Sequence, residues 1–127
     1  MNQRRTGLFC AAFYTLSMAG FGVVPVTVAR AEDDIQRIEI AIEQRAVADD
    51  ARVVRVTQGD RLELVWTTDE TVQLHLHGYD IELEVTPDVP AVMSLTAHAT
   101  GRFPVTSHGF GGGHGHDTLL YLEVYPD

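Results

Sequence analysis

The polar and apolar residues after position 34 alternate over many short stretches. Residues 38–43 and 81–85 alternate with a period of two, which is typical of strands with one buried face. In residues 62–66, the side chains of Leu62, Leu64 and Trp66 share one face. The pattern predicts strands at residues 35–43, 53–56, 62–66, 72–77, 81–85, 92–97, 103–106 and 119–125. Seven to eight short strands, separated by turn residues and without a helical pattern longer than one turn, predict an all-β protein, an antiparallel sandwich or barrel.

The start of the chain has the three-part layout of a secretory signal peptide. Two arginines precede an apolar run at residues 8–28, and small residues lead to a predicted cut after Ala31. A retained membrane anchor is the alternative, since the run is nearly long enough to span a bilayer, but its glycines and proline favour cleavage. We therefore predict a signal peptide at residues 1–31 and a periplasmic or secreted domain at residues 32–127, with the export route left open.

Cleavage at this site changes both the charge and the cysteine content. The whole chain has 9 arginines and 18 acidic residues, a formal charge of -9. The signal peptide contains three of the arginines and the single cysteine, Cys10, so the remaining 96 residues carry -12 and no thiol. This acidity argues against nucleic acid or an anionic membrane surface as the main partner. Without cysteine, the domain depends on its hydrophobic core, and thiol catalysis and thiolate metal sites are excluded.

The six histidines all fall between positions 75 and 116, and four of them form two close pairs. His75 and His77 lie two apart in a predicted strand, so their rings project from one face while Leu74 and Leu76 project from the other. Two imidazoles on one face are a ready pair of metal ligands, suited to Cu(II), Zn(II) or Ni(II) at neutral pH. This strand is therefore the first candidate for a metal site.

A second group of histidines lies in the glycine-rich stretch of residues 107–117. It contains five glycines together with His108, His114 and His116. Glycine gives the backbone wide conformational freedom, so these histidines can move to meet a metal ion. Asp117 is a candidate oxygen ligand, or an acceptor that fixes the tautomer of a ring. The alternative is a flexible surface connection in which the histidines are incidental.

The order of several segments resembles that of cupredoxins. Residues 56–60 (Val-Thr-Gln-Gly-Asp) precede an apolar strand that ends in Trp66, a histidine strand follows, and residues 100–107 (Thr-Gly-Arg-Phe-Pro-Val-Thr-Ser) lie near the end. Residues 74–80 (Leu-His-Leu-His-Gly-Tyr-Asp) are similar to a cupredoxin-like branch of exported bacterial proteins. The resemblance covers nearly all of residues 32–127 and implies a cupredoxin-like Greek-key β-sandwich.

The resemblance also implies where a metal would bind. His75 or His77 stands where cupredoxins have their first histidine ligand, and His114 or His116 stands near the position of the second. Ser107 occupies the position of the ligand cysteine. A blue electron-transfer site depends on a copper–thiolate bond, so we expect neither a blue copper site nor an ordinary electron carrier.

A histidine-only metal site is what remains. Its expected ligands are drawn from His75, His77, His108, His114 and His116. Because His108 directly follows Ser107, strand alternation turns its ring to the opposite face from Ser107 unless the strand ends there. Affinity order favours Cu(II), with zinc close behind.

The leading hypothesis is an exported copper carrier or buffer, not an enzyme, that exchanges its ion with a copper-handling partner in the cell envelope. One alternative is a metal-free cupredoxin-like binding module in which the histidines are incidental. A less favoured alternative is a small copper enzyme of the superoxide dismutase type, because the His-x-His strand also resembles the copper strand of those enzymes. Their cysteine pair is missing from this chain.

Overall fold

Eight strands make up most of the computed structural model, which describes residues 34–110 and 113–127. Each predicted strand forms, and four of them are longer than the pattern indicated, by one to four residues. The strands are β1 (Ile35–Ile42), β2 (Val53–Thr57), β3 (Arg61–Thr68), β4 (Val72–Leu76), β5 (Ile81–Val85), β6 (Ala91–Thr96), β7 (Gly101–His108) and β8 (His116–Tyr125). The predicted signal peptide, residues 1–31, lies outside the described residues.

The helical element that lies wholly within the described residues is a three-residue 3-10 turn at Asp49–Ala51. The described residues contain no helix with the length and apolar character needed to cross a membrane.

The strands form two sheets that pack as a sandwich. One sheet has the order β1-β3-β6 and the other the order β2-β8-β7-β4-β5. The pairings β1 with β3 and β2 with β8 are parallel, whereas the pattern predicted antiparallel pairing throughout. For β1 and β3 the reason is topological: the chain passes from β1 in one sheet to β2 in the other and back to β3, and strands joined by such a crossover can lie parallel. The all-β sandwich predicted from the sequence is confirmed.

The core lies between the inner faces of the two sheets. Trp66, Leu74 and Leu122 are among its fully buried side chains, each 0% exposed. Burial alternates along β4 as expected: Leu74 and Leu76 are buried, while His75 between them is not. No cysteine follows residue 31, so this apolar burial, rather than a disulfide, stabilises the sandwich.

A β-bulge interrupts the pairing of β7 with β8. Val105 pairs with Leu120 but Thr106 pairs with Thr118, so Leu119 is an extra residue in β8. Leu119 and Leu120 are consequently both buried, and the inward and outward alternation of the strand is reversed before them. Strict alternation from Leu120 would turn residue 116 toward the core, but the bulge places it on the outer face, opposite His108.

Candidate metal centre

His75 and His77 lie side by side on the outer face of the five-stranded sheet. Their ring centroids are 4.1 Å apart with the planes tilted by 39°. His75 is in β4, while His77 follows the last residue of that strand. The backbone N–H of His77 donates a hydrogen bond to the carbonyl of Pro104 at 3.0 Å, which keeps this residue aligned with β7. The two rings are therefore together, as the alternation of the strand predicts.

His108, the last residue of β7, completes a group of three rings. One ring nitrogen from each of His75, His77 and His108 can be chosen so that all lie within 4.8 Å of one another. The centroids of His75 and His108 are 6.2 Å apart. All three residues are half-buried, so the nitrogens are partly shielded from water yet reachable from outside. We call His75, His77 and His108 the histidine triad.

Ser107 faces the other way. Its side chain is 0% exposed, and its hydroxyl donates to the carbonyl of Asp117 at 3.2 Å. Ser107 pairs with the buried Leu74 of β4, so the position that resembles the cupredoxin cysteine points into the sandwich. His108 points outward, as alternation predicts. It joins His75 and His77 because they also point outward, and the triad therefore lies on the opposite face of the sheet from Ser107.

The orientation of Ser107 gives a prediction about restoring the family's cysteine. Ser107→Cys is expected to leave the protein without an intense copper–thiolate absorption after Cu(II) addition, since the new thiol would lie inside the sandwich and away from the triad. The absorption spectrum measures this. Reaction of the thiol with a water-soluble reagent, before and after unfolding, serves as the control for its burial. An intense blue band in the folded variant would contradict the orientation.

His116 extends the triad along β8. Its ring is 4.2 Å from that of His108, centroid to centroid, with the planes nearly perpendicular at 88°. His114 lies in the exposed stretch before β8, and it is not part of the triad. Asp117 pairs with Ser107 and, by alternation, belongs to the face opposite His116. The structure thus brings together four of the predicted ligands, His75, His77, His108 and His116.

Two polar residues that the sequence analysis missed contact the triad. The hydroxyl oxygen of Thr106 lies 2.9 Å from Nε2 of His77 and 3.2 Å from Nε2 of His108. Nε2 of His75 lies 3.2 Å from a carboxylate oxygen of Asp80. Thr106 could have been found by its spacing of two from His108, which puts both on one face. Asp80 follows a glycine turn and has a positive φ of 57°, which strand periodicity does not indicate.

The surroundings of His108 favour its neutral form. Partial burial, followed by the neighbouring rings of His116, His75 and His77, lowers the pKa of His108 below its ordinary value of 6.5, and Glu82 opposes this effect. Loss of hydration and nearby like charges both disfavour the protonated ring. The protonated form of His108 is therefore disfavoured, and the neutral ring has a lone pair available for a metal.

Gly78 forms the turn between His77 and Tyr79, whose side chain packs against the core. It has a φ of 85°, in the region that favours glycine. A Cβ at this position would collide with Cδ1 of the Phe103 ring. Phe103 in turn meets the ring of Tyr79 edge-on at 4.9 Å. The close approach of the Gly78 backbone to Phe103 thus fixes the turn that carries His77.

Comparisons with known proteins bear on the fold. No protein-family model and no curated protein matches the chain. Among solved structures, a chain of a heme-copper terminal oxidase dimer is 19% identical, with a TM-score of 0.59, over 75% of this chain and 68% of that chain. A copper binding protein solved in its apo form is 10% identical, with a TM-score of 0.55, over 72% of this chain and 88% of that one.

The periplasmic domain of subunit II of cytochrome oxidase from Bradyrhizobium japonicum is also similar. It is 14% identical, with a TM-score of 0.56, over 72% of this chain and 85% of that domain. The copper binding protein and this domain are cupredoxin-fold proteins. At such low identities the similarity shows the fold, and the chain has the cupredoxin-like β-sandwich that the sequence resemblance implied.

Proposed function

We propose that this protein binds Cu(II) through histidine nitrogens and acts as an exported copper carrier or buffer. The observation that carries the proposal is the histidine triad, whose ring nitrogens can lie within 4.8 Å of one another on one face of a rigid sheet. Three imidazoles from two neighbouring strands form a donor set that needs little rearrangement to take one ion. His116, beside His108, is available as a fourth donor.

The chemistry of the donors favours copper in its oxidised form. Imidazole suits Cu(II), Zn(II) and Ni(II), and affinity for nitrogen sites rises to a maximum at Cu(II). Cu(I) prefers sulfur ligands, and the domain offers none at the triad: no cysteine follows residue 31, and Met93 is buried in β6. The bound ion would therefore be weakly coloured, with zinc as the strongest competitor.

The position of the triad favours reversible binding over catalysis. An active site gains from excluding water, whereas these rings are half-buried on the outer face of a sheet. An ion held there can be passed to a partner protein without opening the core. The acidic charge of the domain attracts cations, although salt confines this attraction to about 8–10 Å. Accordingly, we propose a copper-handling role without enzymatic activity.

The fold supports a location outside the cytoplasm. One solved relative is described as a copper binding protein and another as a periplasmic domain. The signal peptide predicted at residues 1–31 would agree with such a location. We therefore propose that the domain is periplasmic or secreted, where a copper-handling partner of the envelope would load or unload it.

Titration of the domain spanning residues 32–127 with Cu(II), followed by electron paramagnetic resonance, tests the proposal. We expect a single tetragonal signal with several nitrogen ligands that saturates at one equivalent. A chelator competition should show retention of the ion, and the bound ion should stabilise the fold by about 2.7 kcal/mol at a hundredfold excess over Kd. Weak, heterogeneous binding at several equivalents would favour a metal-free binding module instead.

Copper affinity is expected to fall as the pH is lowered from neutral to about 5, because protonated imidazole has no lone pair to donate. Burial and the neighbouring rings lower the pKa of His108 and so oppose its protonation as the pH falls. The metal-free fold should also lose stability in this range. Because the pKa of His108 is lower in the folded protein than in the unfolded chain, the unfolded chain binds more protons as the pH falls, and acid therefore favours unfolding. Competition titrations and urea unfolding across the range measure both effects. A Cu(II) affinity that does not change with pH would contradict histidine ligation.

A further inference from the structure

The histidine triad has a common pattern of hydrogen bonds. In each of the three rings Nε2 lies within hydrogen-bond distance of a polar side chain, namely Asp80 for His75 and Thr106 for both His77 and His108. One nitrogen of each ring is therefore already engaged within the protein. The metal must be taken either by these same atoms, with loss of the hydrogen bonds, or by the other nitrogen, Nδ1.

Counting protons separates these two possibilities for His75. A carboxylate only accepts hydrogen bonds, so the contact of 3.2 Å with Asp80 requires a proton on Nε2 of His75. A neutral ring with a proton on Nε2 has its lone pair on Nδ1. His75 is thus held in the tautomer that offers Nδ1 to a metal.

The hydrogen-bonding capacity of the Thr106 hydroxyl likewise restricts the tautomers of His77 and His108. The hydroxyl of Thr106 has one proton and two lone pairs, so it can donate to only one of the two Nε2 atoms and must accept from at least one. At least one of these rings therefore carries its proton on Nε2. When both donate, the hydroxyl accepts twice, and each ring of the triad then has its lone pair on Nδ1.

We propose that Thr106 is a positioning residue of the metal site, which accepts Nε2–H hydrogen bonds from His77 and His108 so that the metal is taken by Nδ1. This inference rests on the proposed function and adds the atom through which each ring binds. Metal-ligating histidines almost always donate their other N–H to an oxygen, which fixes the ring and raises its basicity. One hydroxyl does this for two ligands here, since Thr106 lies on β7 between them.

The geometry of the sheet explains why one threonine reaches both rings. Thr106 pairs with His75 across β4, and it lies two residues before His108 on the same face of β7. His77 is drawn alongside β7 by its backbone hydrogen bond to Pro104. The hydroxyl of Thr106 therefore lies among the rings of all three histidines and contacts the two that lack a carboxylate partner.

Nitrogen-15 NMR of the histidine rings tests the proposal first in the metal-free protein. We expect His75, His77 and His108 to carry their protons on Nε2. In the protein loaded with Zn(II), a diamagnetic substitute for Cu(II), Nδ1 should show the shift of a coordinated nitrogen while Nε2 keeps its proton. Coordination through Nε2 of His77 and His108 would overturn the proposal.

Substitutions of Thr106 give an independent test. Thr106→Val removes the hydroxyl at nearly constant volume, and it should weaken Cu(II) binding by roughly 10- to 100-fold, the usual loss when a partner of a ligand is removed. Thr106→Ser should restore most of the affinity. The matched control is Thr118→Val, since Thr118 is the exposed partner of Thr106 on β8. The Cu(II) affinity of this variant should equal that of the unmodified protein.

The outcomes separate this proposal from the proposed function. Unchanged or tighter copper binding by Thr106→Val would show that the hydroxyl does not support the ligands and would overturn the proposal, while copper binding itself would stand. If the unmodified protein fails to retain copper, the proposed function fails, and the ring tautomers of the metal-free protein still report on Thr106. Should Thr106→Val not fold, the NMR spectra of the unmodified protein and Thr106→Ser decide the question.

Discussion

Replacing His75 and His77 together with alanine is expected to lower the Cu(II) affinity by more than about 100-fold. Removing a residue that merely orients a ligand costs roughly 10- to 100-fold, and the double variant removes two of the three ligands themselves. What remains is His108 with its neighbour His116, whose rings are 4.2 Å apart. Competition with a chelator of known affinity measures the loss.

The fold should survive this change. Both rings lie on the outer face of the sheet, away from the buried side chains of Leu74 and Leu76, so each substitution should alter the free energy of unfolding by less than about 1 kcal/mol. His98→Ala is the control, because it removes an exposed histidine that rests against Tyr79 instead of the triad. Full copper affinity in the double variant, or an equal loss in His98→Ala, would refute the triad as the site.

The second large effect is expected for Gly78→Ala. The new methyl group would collide with the ring of Phe103, and the φ of 85° is unfavourable for alanine. Backbone strain of this kind costs about 1–3 kcal/mol, and overpacking adds about 1–3 kcal/mol. The variant should therefore lose a large part of its stability in urea unfolding, and copper affinity should fall with it, because His77 is the preceding residue.

Gly59→Ala provides a matched control for this effect. Gly59 has a similar φ of 96°, but a Cβ there would meet nothing within 4 Å. It should therefore show the backbone strain without the collision, and it should leave the triad intact. Phe103→Leu, combined with Gly78→Ala, should recover part of the stability lost through the collision. Equal destabilisation by the two alanine variants would mean that Phe103 is not the cause.

Much of the architecture was accessible from the sequence because a sandwich leaves a period-two pattern in its strands. The alternation around His75 predicted both the burial of Leu74 and Leu76 and the shared face of the two histidines, and the structure has both. The parallel pairings were not predicted. They depend on which sheet each strand joins, and residue alternation carries no information about that choice.

The candidate site was less predictable because it depends on contacts between strands. The resemblance to cupredoxins drew attention to Ser107, yet this side chain is buried and the triad assembles on the other face. Nothing in the sequence distinguishes Thr106 from any other threonine in a strand. Its role emerges only from the pairing of β4 with β7, which brings His77 and His108 within reach of one hydroxyl.

The bulge at Leu119 reverses the inward and outward alternation of side chains between the first and second halves of β8. Its second half supplies Leu120, Leu122 and Val124 to the interior, and its first half presents His116 beside His108. Transplanting the histidine face onto another sandwich would therefore require copying Leu119 along with the histidines. A graft that kept the histidines but omitted that residue would turn His116 to the inner face of the sheet, away from His108.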